Sequence, residues 1–249
     1  DIIHAHDWHT GCALAQLALR ERRDPKLKSI ATVLTIHNLF YQGLSGDALW
    51  KFAGFPDRPR RITGEPPGRV NWLARGIAHA DVVNTVSPTY ATEILTPQLG
   101  EGLDSLLKQR RQPVRGILNG LDYAEWNPAT DARLAATYNV HSLKTRTSNK
   151  RAVQQQLGLK RKPRTPLIGL VTRLTDQKGF DLIAAAADRL FERDVQLVVL
   201  GNGEEKYHAL LADLKARYPG RVGVEHNFNE PLARLIYGGS DLFLMPSHF

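Results

Sequence analysis

The stretch Thr172-Arg173-Leu174-Thr175-Asp176-Gln177-Lys178-Gly179 follows directly on the apolar run Leu167-Ile168-Gly169-Leu170-Val171. A short apolar run bounded by polar residues reads as a buried strand. Beyond Gly179, Leu182, Ile183, Ala186, Ala187 and Leu190 recur at helical spacing, so the polar stretch joins the carboxyl end of a strand to the amino end of a helix. Open α/β sheets bind ligands at that edge. The chemistry of the loop follows from its two cations. Arg173 presents a planar donor fork and Lys178 a compact charge, and free backbone N–H groups near Gly179 and Phe180 add the positive end of a helix dipole. Such a group suits a diphosphate, although an Arg and a Lys in a polar loop are also what plain solvation produces.

The same unit recurs on both sides of this loop. After it, strands are expected over residues 196–200, 222–224 and 242–245, with helical stretches between them. The first of these strands runs into Gly201-Asn202-Gly203-Glu204-Glu205, where Gly201 and Gly203 permit either close approach of the backbone to a ligand or a tight turn. Before it, the β-favouring run at residues 2–5 empties into His6-Asp7-Trp8-His9-Thr10-Gly11, ahead of the helical pattern Ala13, Leu14, Leu17, Ala18. Asp7 and the flanking imidazoles can meet sugar hydroxyls, with the Trp8 indole as an apolar platform. A helix cap and core packing are the alternative. A strand at residues 30–35 delivers His37 to another carboxyl edge. A further strand at 81–86 leads into Ser87-Pro88, a helix N-cap with proline at the first helical position. A last strand at 114–118 brings Asn119 and Asp122 to a turn, where the pair either binds a sugar or makes the turn.

Residues 44–70, with four prolines and a basic cluster, read as a surface excursion. From Tyr123 to Arg164 the pattern loosens, apart from a helix expected over 150–157. The expected organisation is therefore α/β, with two Rossmann-like domains facing across a cleft. Residues 1–120 form the first, 121–165 an exposed connection, and 166–249 the second.

Composition narrows the function classes. No run is apolar enough to span a membrane, Asp1-Ile2-Ile3-His4 lacks the basic and apolar regions of a signal peptide, and the single cysteine, Cys12, supplies neither a disulfide framework nor a zinc cluster. A cytoplasmic location is expected. The formal charge is +8, from 33 Lys and Arg against 25 Asp and Glu, with a sequence pI near 9.7. The basic residues fall in short clusters (Arg20 to Arg23, Arg58 to Arg61, Lys108 to Arg111, Lys160 to Arg164) without interleaved aromatics, which reads as solvated surface rather than a nucleic-acid interface.

Six stretches taken together resemble the bacterial glycogen and plant starch synthases, retaining glucosyltransferases of the GT-B architecture. They are His4-Ala5-His6-Asp7-Trp8-His9-Thr10, Thr35-Ile36-His37-Asn38-Leu39 with Tyr41-Gln42-Gly43, Val86-Ser87-Pro88-Thr89-Tyr90-Ala91, Leu118-Asn119-Gly120-Leu121-Asp122, Thr172 to Gly179, and Gly238-Gly239-Ser240-Asp241. The resemblance implies transfer of glucose from ADP-glucose, or UDP-glucose in some relatives, to the non-reducing end of an α-1,4-glucan. It would put Arg173 and Lys178 on the departing diphosphate and His37 and Asn119 on the donor glucose. Asp7, Trp8 and His9 would lie beside the donor and acceptor sugars, with Asp7, His37, Arg173 and Lys178 the catalytic set. No metal or cofactor is implied. The family's Lys-Xaa-Gly-Gly segment does not occur in these 249 residues, and its Glu-Pro-Xaa-Gly segment should begin where Pro246-Ser247-His248-Phe249 stands, so the sequence is expected to be an internal piece that is inactive alone. Two other readings compete: a UDP-glucose-dependent sucrose-type glucosyltransferase, and a non-catalytic glucan-binding module.

Overall fold

The computed structural model describes residues 1–21, 24–55 and 61–248. Arg22, Arg23, Arg58 and Arg60 of the expected basic clusters, together with Pro56, Pro59 and Phe249, lie outside the described residues. The chain divides into two compact units, Asp1–Gly120 and Leu121–Phe249. No helix among the described residues is long and apolar enough to cross a membrane.

The first unit runs β1 (Ile2–His6), α1 (Asp7–Glu21), β2 (Ala31–Ile36), β3 (Leu44–Ser45), α2 (Asp47–Phe52), β4 (Val70–Asn71), α3 (Trp72–His79), β5 (Val82–Thr85), α4 (Pro88–Glu93), α5 (Asp104–Lys108) and β6 (Arg115–Gly116). Its main sheet is parallel in the order β1-β2-β5-β6. Leu14 of α1, Leu34 and Ile36 of β2, Leu73 and Ile77 of α3 and Val83 of β5 close one core over it. Each such buried Leu or Ile contributes roughly 1.5–3 kcal/mol. Ser87 caps α4 as its position before Pro88 predicts, its hydroxyl accepting from Tyr90 N at 3.2 Å.

Three expectations shift. Residues 7–11, read as a loop, are the opening turns of α1, because the Thr10 hydroxyl accepts from His6 N (2.6 Å) and donates to His6 O (2.8 Å) and so closes the strand end onto the helix. The excursion at 44–70 is not purely irregular. It carries α2 and the antiparallel pair β3 and β4, and its Trp50, Phe55 and Val70 stack with Trp72 in a second core, with 3.9 Å between the Trp50 and Phe55 rings. Aromatic packing there outweighs the proline-rich local sequence. The last strand is shorter than residues 114–118, since Ile117 and Leu118 are 59% and 70% exposed.

The second unit runs α6 (Arg146–Gln156), β7 (Leu167–Val171), α7 (Phe180–Phe191), β8 (Gln196–Leu200), α8 (Glu205–Arg217), β9 (Val222–Glu225), α9 (Glu230–Gly239) and β10 (Leu242–Phe243), with a parallel sheet ordered β10-β7-β8-β9. Alternate residues of β8 enter opposite cores. Leu197 and Val199 join Phe180, Leu211 and Leu214, whereas Val198 and Leu200 join Val153, Leu232 and Ile236. Burial on both faces is why the strand reads as an unbroken apolar run.

Residues 121–165, expected as an exposed connection, are mostly exposed and fall in this unit, held to it by a few buried polar side chains. Lys150 is buried on α6, and its ammonium donates to Pro163 O (3.1 Å), Thr165 O (2.7 Å) and the Asp241 carboxylate, which also accepts from Leu167 N at 2.8 Å. Asn149 pairs with both backbone groups of Ala136, at 2.8 Å each. Arg234 of α9 donates to Glu125 O (2.8 Å) and lies 3.4 Å above the Trp126 ring. At these few buried positions the polar groups satisfy backbone partners, as burial requires.

Candidate active site

In the first unit the carboxyl ends of β1 and β2 carry three histidines. His4 and His6 alternate onto one side of β1, their rings stacked at 4.3 Å, and His37 follows β2 with its ring 5.3 Å from that of His6. Thr35 Oγ1 donates to Asn84 Oδ1 (2.6 Å), so His4 Nε2, at 2.7 Å, is the donor to Thr35. His6 Nδ1 and His37 Nε2 are 3.0 Å apart and share one proton between them. Desolvation, then the neighbouring His4 and His37, push the His6 pKa down against the pull of Asp7. Among the described residues no group of three or more His, Cys, Asp or Glu is arranged to hold a metal ion.

Asp7 sits at the turn from β1 into α1 with φ 54°, a conformation non-glycine residues seldom adopt. Its Oδ1 accepts from His37 N at 2.7 Å, which fixes one expected site residue against another. The next turn is held by Asn38, whose side chain accepts from Phe40 N (3.0 Å), and by Tyr90, whose hydroxyl accepts from Leu39 N (3.0 Å).

Trp8 packs half-buried between the two cores of this unit, with the exposed His9 ring stacked on it at 4.0 Å. The φ of Gly43 is 64°, and a Cβ there would lie 2.2 Å from the Trp8 ring, so the glycine lets the chain cross the indole face. Together Trp8, Phe40, Tyr41, Gln42, Gly43, Glu65 and Glu101 line an open cavity of about 790 Å³. Phe40 and Tyr41 meet edge to face at 5.3 Å. Asn119 is exposed beyond β6, and among the described residues its side chain makes no hydrogen bond. The neighbouring Asp122 makes the turn, its Oδ1 accepting from Ala124 N (2.9 Å) and Glu125 N (3.3 Å).

In the second unit the expected loop leaves β7 as read. Leu174 is fully buried, and Leu174 N donates to Asn202 O (2.9 Å) while Glu204 N donates to Leu174 O (2.8 Å). Arg173 precedes that anchor and Lys178 ends a short 3-10 turn, Asp176–Lys178, just before Gly179 and α7. Among the described residues neither cation has a hydrogen-bond or salt-bridge partner, so both charges remain available to an anion. Gly201 and Gly203 are needed for backbone packing: a Cβ on them would lie 1.9 Å from Thr172 O and 2.2 Å from Leu174 O.

A family model described as the starch synthase catalytic domain matches residues 1–109, and one described as glycosyl transferases group 1 matches residues 152–249. Glycogen synthases from Pseudothermotoga lettingae and Thermotoga maritima are each 45% identical over 250 residues, covering 100% of this chain and 51% of theirs. The chain belongs to the glycogen and starch synthase family. It is also similar to the catalytic domain of starch synthase IV from Arabidopsis thaliana, solved bound to ADP and acarbose, at 36% identity with a TM-score of 0.88 over 100% of this chain and 52% of that one. The chain spans about half the length of the curated relatives it matches. The α/β class with Rossmann-like sheets of GT-B type is the one found.

Several residues beside the candidate side chains of each unit were not singled out from sequence. His4 could have been, because it alternates on one strand with His6, one of the imidazoles flanking Asp7, and must share its face. Phe40, Tyr41 and Glu101 join Trp8 only through tertiary packing. Asp176, Lys206 and Tyr207 likewise meet only when α8 folds back beside the loop.

Proposed function

We propose that the protein is a glycogen or starch synthase, transferring glucose from ADP-glucose to the non-reducing end of an α-1,4-glucan with retention at the anomeric carbon. The observation that carries this reading is the pair of unpartnered cations, Arg173 and Lys178, held on an anchored loop at the carboxyl end of β7. In glycosyl transfer the sugar acquires oxocarbenium character while negative charge grows on the departing diphosphate. Fixed cations stabilise that state more than the ground state. His37 and Asn119 contact the donor glucose in this reading. Asp7, tied to His37 N, sits beside the reacting sugar. The aromatic surfaces of Trp8, Phe40 and Tyr41 take the apolar faces of glucan rings, with His9 at the rim. The starch synthase solved with ADP and acarbose supports a nucleotide and a glucan as ligands.

The test is to incubate the intact gene product with glycogen and radiolabelled ADP-glucose or UDP-glucose and count label in precipitated glucan. Incorporation from ADP-glucose supports the reading. Incorporation only from UDP-glucose keeps the glucan synthase and changes its donor, label from UDP-glucose recovered in a small soluble sugar instead of glucan favours the sucrose-type class, and glycogen binding without transfer from either donor identifies a binding module.

A further inference from the structure

We infer that Asp176, Tyr207 and Lys206 are positioning residues that aim Arg173 and Lys178 at the terminal phosphate of a nucleoside diphosphate. This rests on the reading of those two cations proposed above. Tyr207 is only 7% exposed, and its ring packs in the core against Phe180 at 5.0 Å between centroids. Its hydroxyl leaves that core to donate to Asp176 Oδ1. The Lys206 ammonium donates to the same oxygen and is itself held by Glu204 at 3.1 Å. Asp176 opens the turn that Lys178 closes, and its carbonyl accepts from Gly179 N at 3.2 Å. The loop is thus pinned at two points between its cations, at the buried Leu174 and at Asp176. On its other side Gln177 O accepts from His248 N at 3.0 Å.

The arrangement does a second thing. Asp176 is an acidic residue inside the stretch that bears both cations, and Lys206 and Tyr207 both donate to one oxygen of its carboxylate. Arg173 and Lys178 therefore keep their charge for a ligand instead of neutralising their own loop. Groups locked before binding cost less ordering when the anion arrives.

The experiment is equilibrium titration of the intact gene product with ADP and with AMP, which lacks the second phosphate. Tyr207→Phe keeps the core ring and removes only the hydroxyl. Asp176→Ala alters an exposed carboxylate and leaves the core untouched. Each is expected to weaken ADP about five- to tenfold, in line with the loss of one or two hydrogen bonds, and to change AMP by less than about twofold. Asp176→Asn, which retains an oxygen for Tyr207, should fall between Asp176→Ala and the parent. If both variants keep the parent's preference for ADP over AMP, or lose affinity for both nucleotides equally, the inference is wrong. If the parent itself does not prefer ADP, the phosphate reading of Arg173 and Lys178 fails first and the inference goes with it.

Discussion

Replacing Gly203 by alanine tests whether the loop that carries Arg173 and Lys178 is built on backbone contact. A Cβ at this position would lie 2.2 Å from Leu174 O, 2.8 Å from Leu174 C and 2.9 Å from Leu174 N. All three are backbone atoms, so no rotamer change relieves the clash. The chain must open the bridge between Leu174 and Gly203, which is framed by the hydrogen bonds Leu174 N to Asn202 O and Glu204 N to Leu174 O. Two such bonds at about 0.5–1.5 kcal/mol each give a loss of about 1–3 kcal/mol, without counting strain in the buried Leu174 side chain. Gly120→Ala is the control, because nothing lies within 4 Å of a Cβ there, and it should stay within about 0.5 kcal/mol of the parent. Urea unfolding reads the stability, and amide hydrogen exchange reads the two bonds directly. If Gly203→Ala matches the Gly120→Ala control and the Leu174 and Glu204 amides remain as protected as in the parent, the turn is not a backbone clamp.

Three further outcomes follow from the proposed site. Arg173→Ala and Lys178→Ala should each lower kcat by about 2–4 kcal/mol in barrier terms, or roughly 30- to 1,000-fold, with much smaller effects on glucan binding, measured by initial rates across glycogen concentrations. Near-normal turnover would return that residue to the solvated surface. Trp8→Ala should raise the KM for maltooligosaccharides about tenfold while sparing ADP affinity, since the indole is a wall of the aromatic cavity in the first unit; an unchanged KM would move the acceptor elsewhere. The pKa of His6 is depressed in the folded state, so the unfolded chain binds the extra proton first. Stability from this group is complete above the ordinary histidine value near about 6.5 and declines as pH falls through the folded pKa. His6→Asn should flatten that acid limb in thermal melts between neutral and mildly acidic pH, and an unaltered slope would clear His6 of the effect.

What was legible in the sequence depended on how local its cause was. The strand over residues 167–171, the loop that follows it and the cap at Ser87-Pro88 rest on short-range rules, namely burial on both sheet faces and a hydroxyl one residue before a proline. Most of the segment 121–165 is exposed, but its few buried polar anchors were not legible, because polarity alone does not distinguish solvation from satisfaction. Lys150, Asn149 and Arg234 look like surface residues in the chain and are buried with their donors assigned to carbonyls and carboxylates far along it. The aromatic core of Trp50, Phe55 and Trp72 was similarly hidden by prolines and by the distance between its members.

The start of α1 shows what kind of site residue escapes a reading by spacing. Sequence placed Asp7 in a loop, where a carboxylate costs nothing in backbone strain and could as well be a helix cap. Instead it occupies a left-handed turn, φ 54°, with no residues between strand and helix to absorb the change of direction. Asparagine or glycine would relieve this conformation more easily than aspartate. A strained non-glycine residue persists when its surroundings over-determine it, and here they do: Thr10 holds the preceding peptide through His6 N and O, and His37 N fixes Asp7 Oδ1. The strain therefore has a definite product, a carboxylate fixed at the strand edge with one oxygen committed to the backbone of the next loop and the other uncommitted by that bond. Asp7→Gly would relax the turn and Asp7→Asn would keep its acceptor while removing the charge. If the charge is what the turn exists to present, Asp7→Asn should lose transfer activity while melting at or above the parent temperature, and an active Asp7→Asn protein would leave Asp7 only its structural bond to His37.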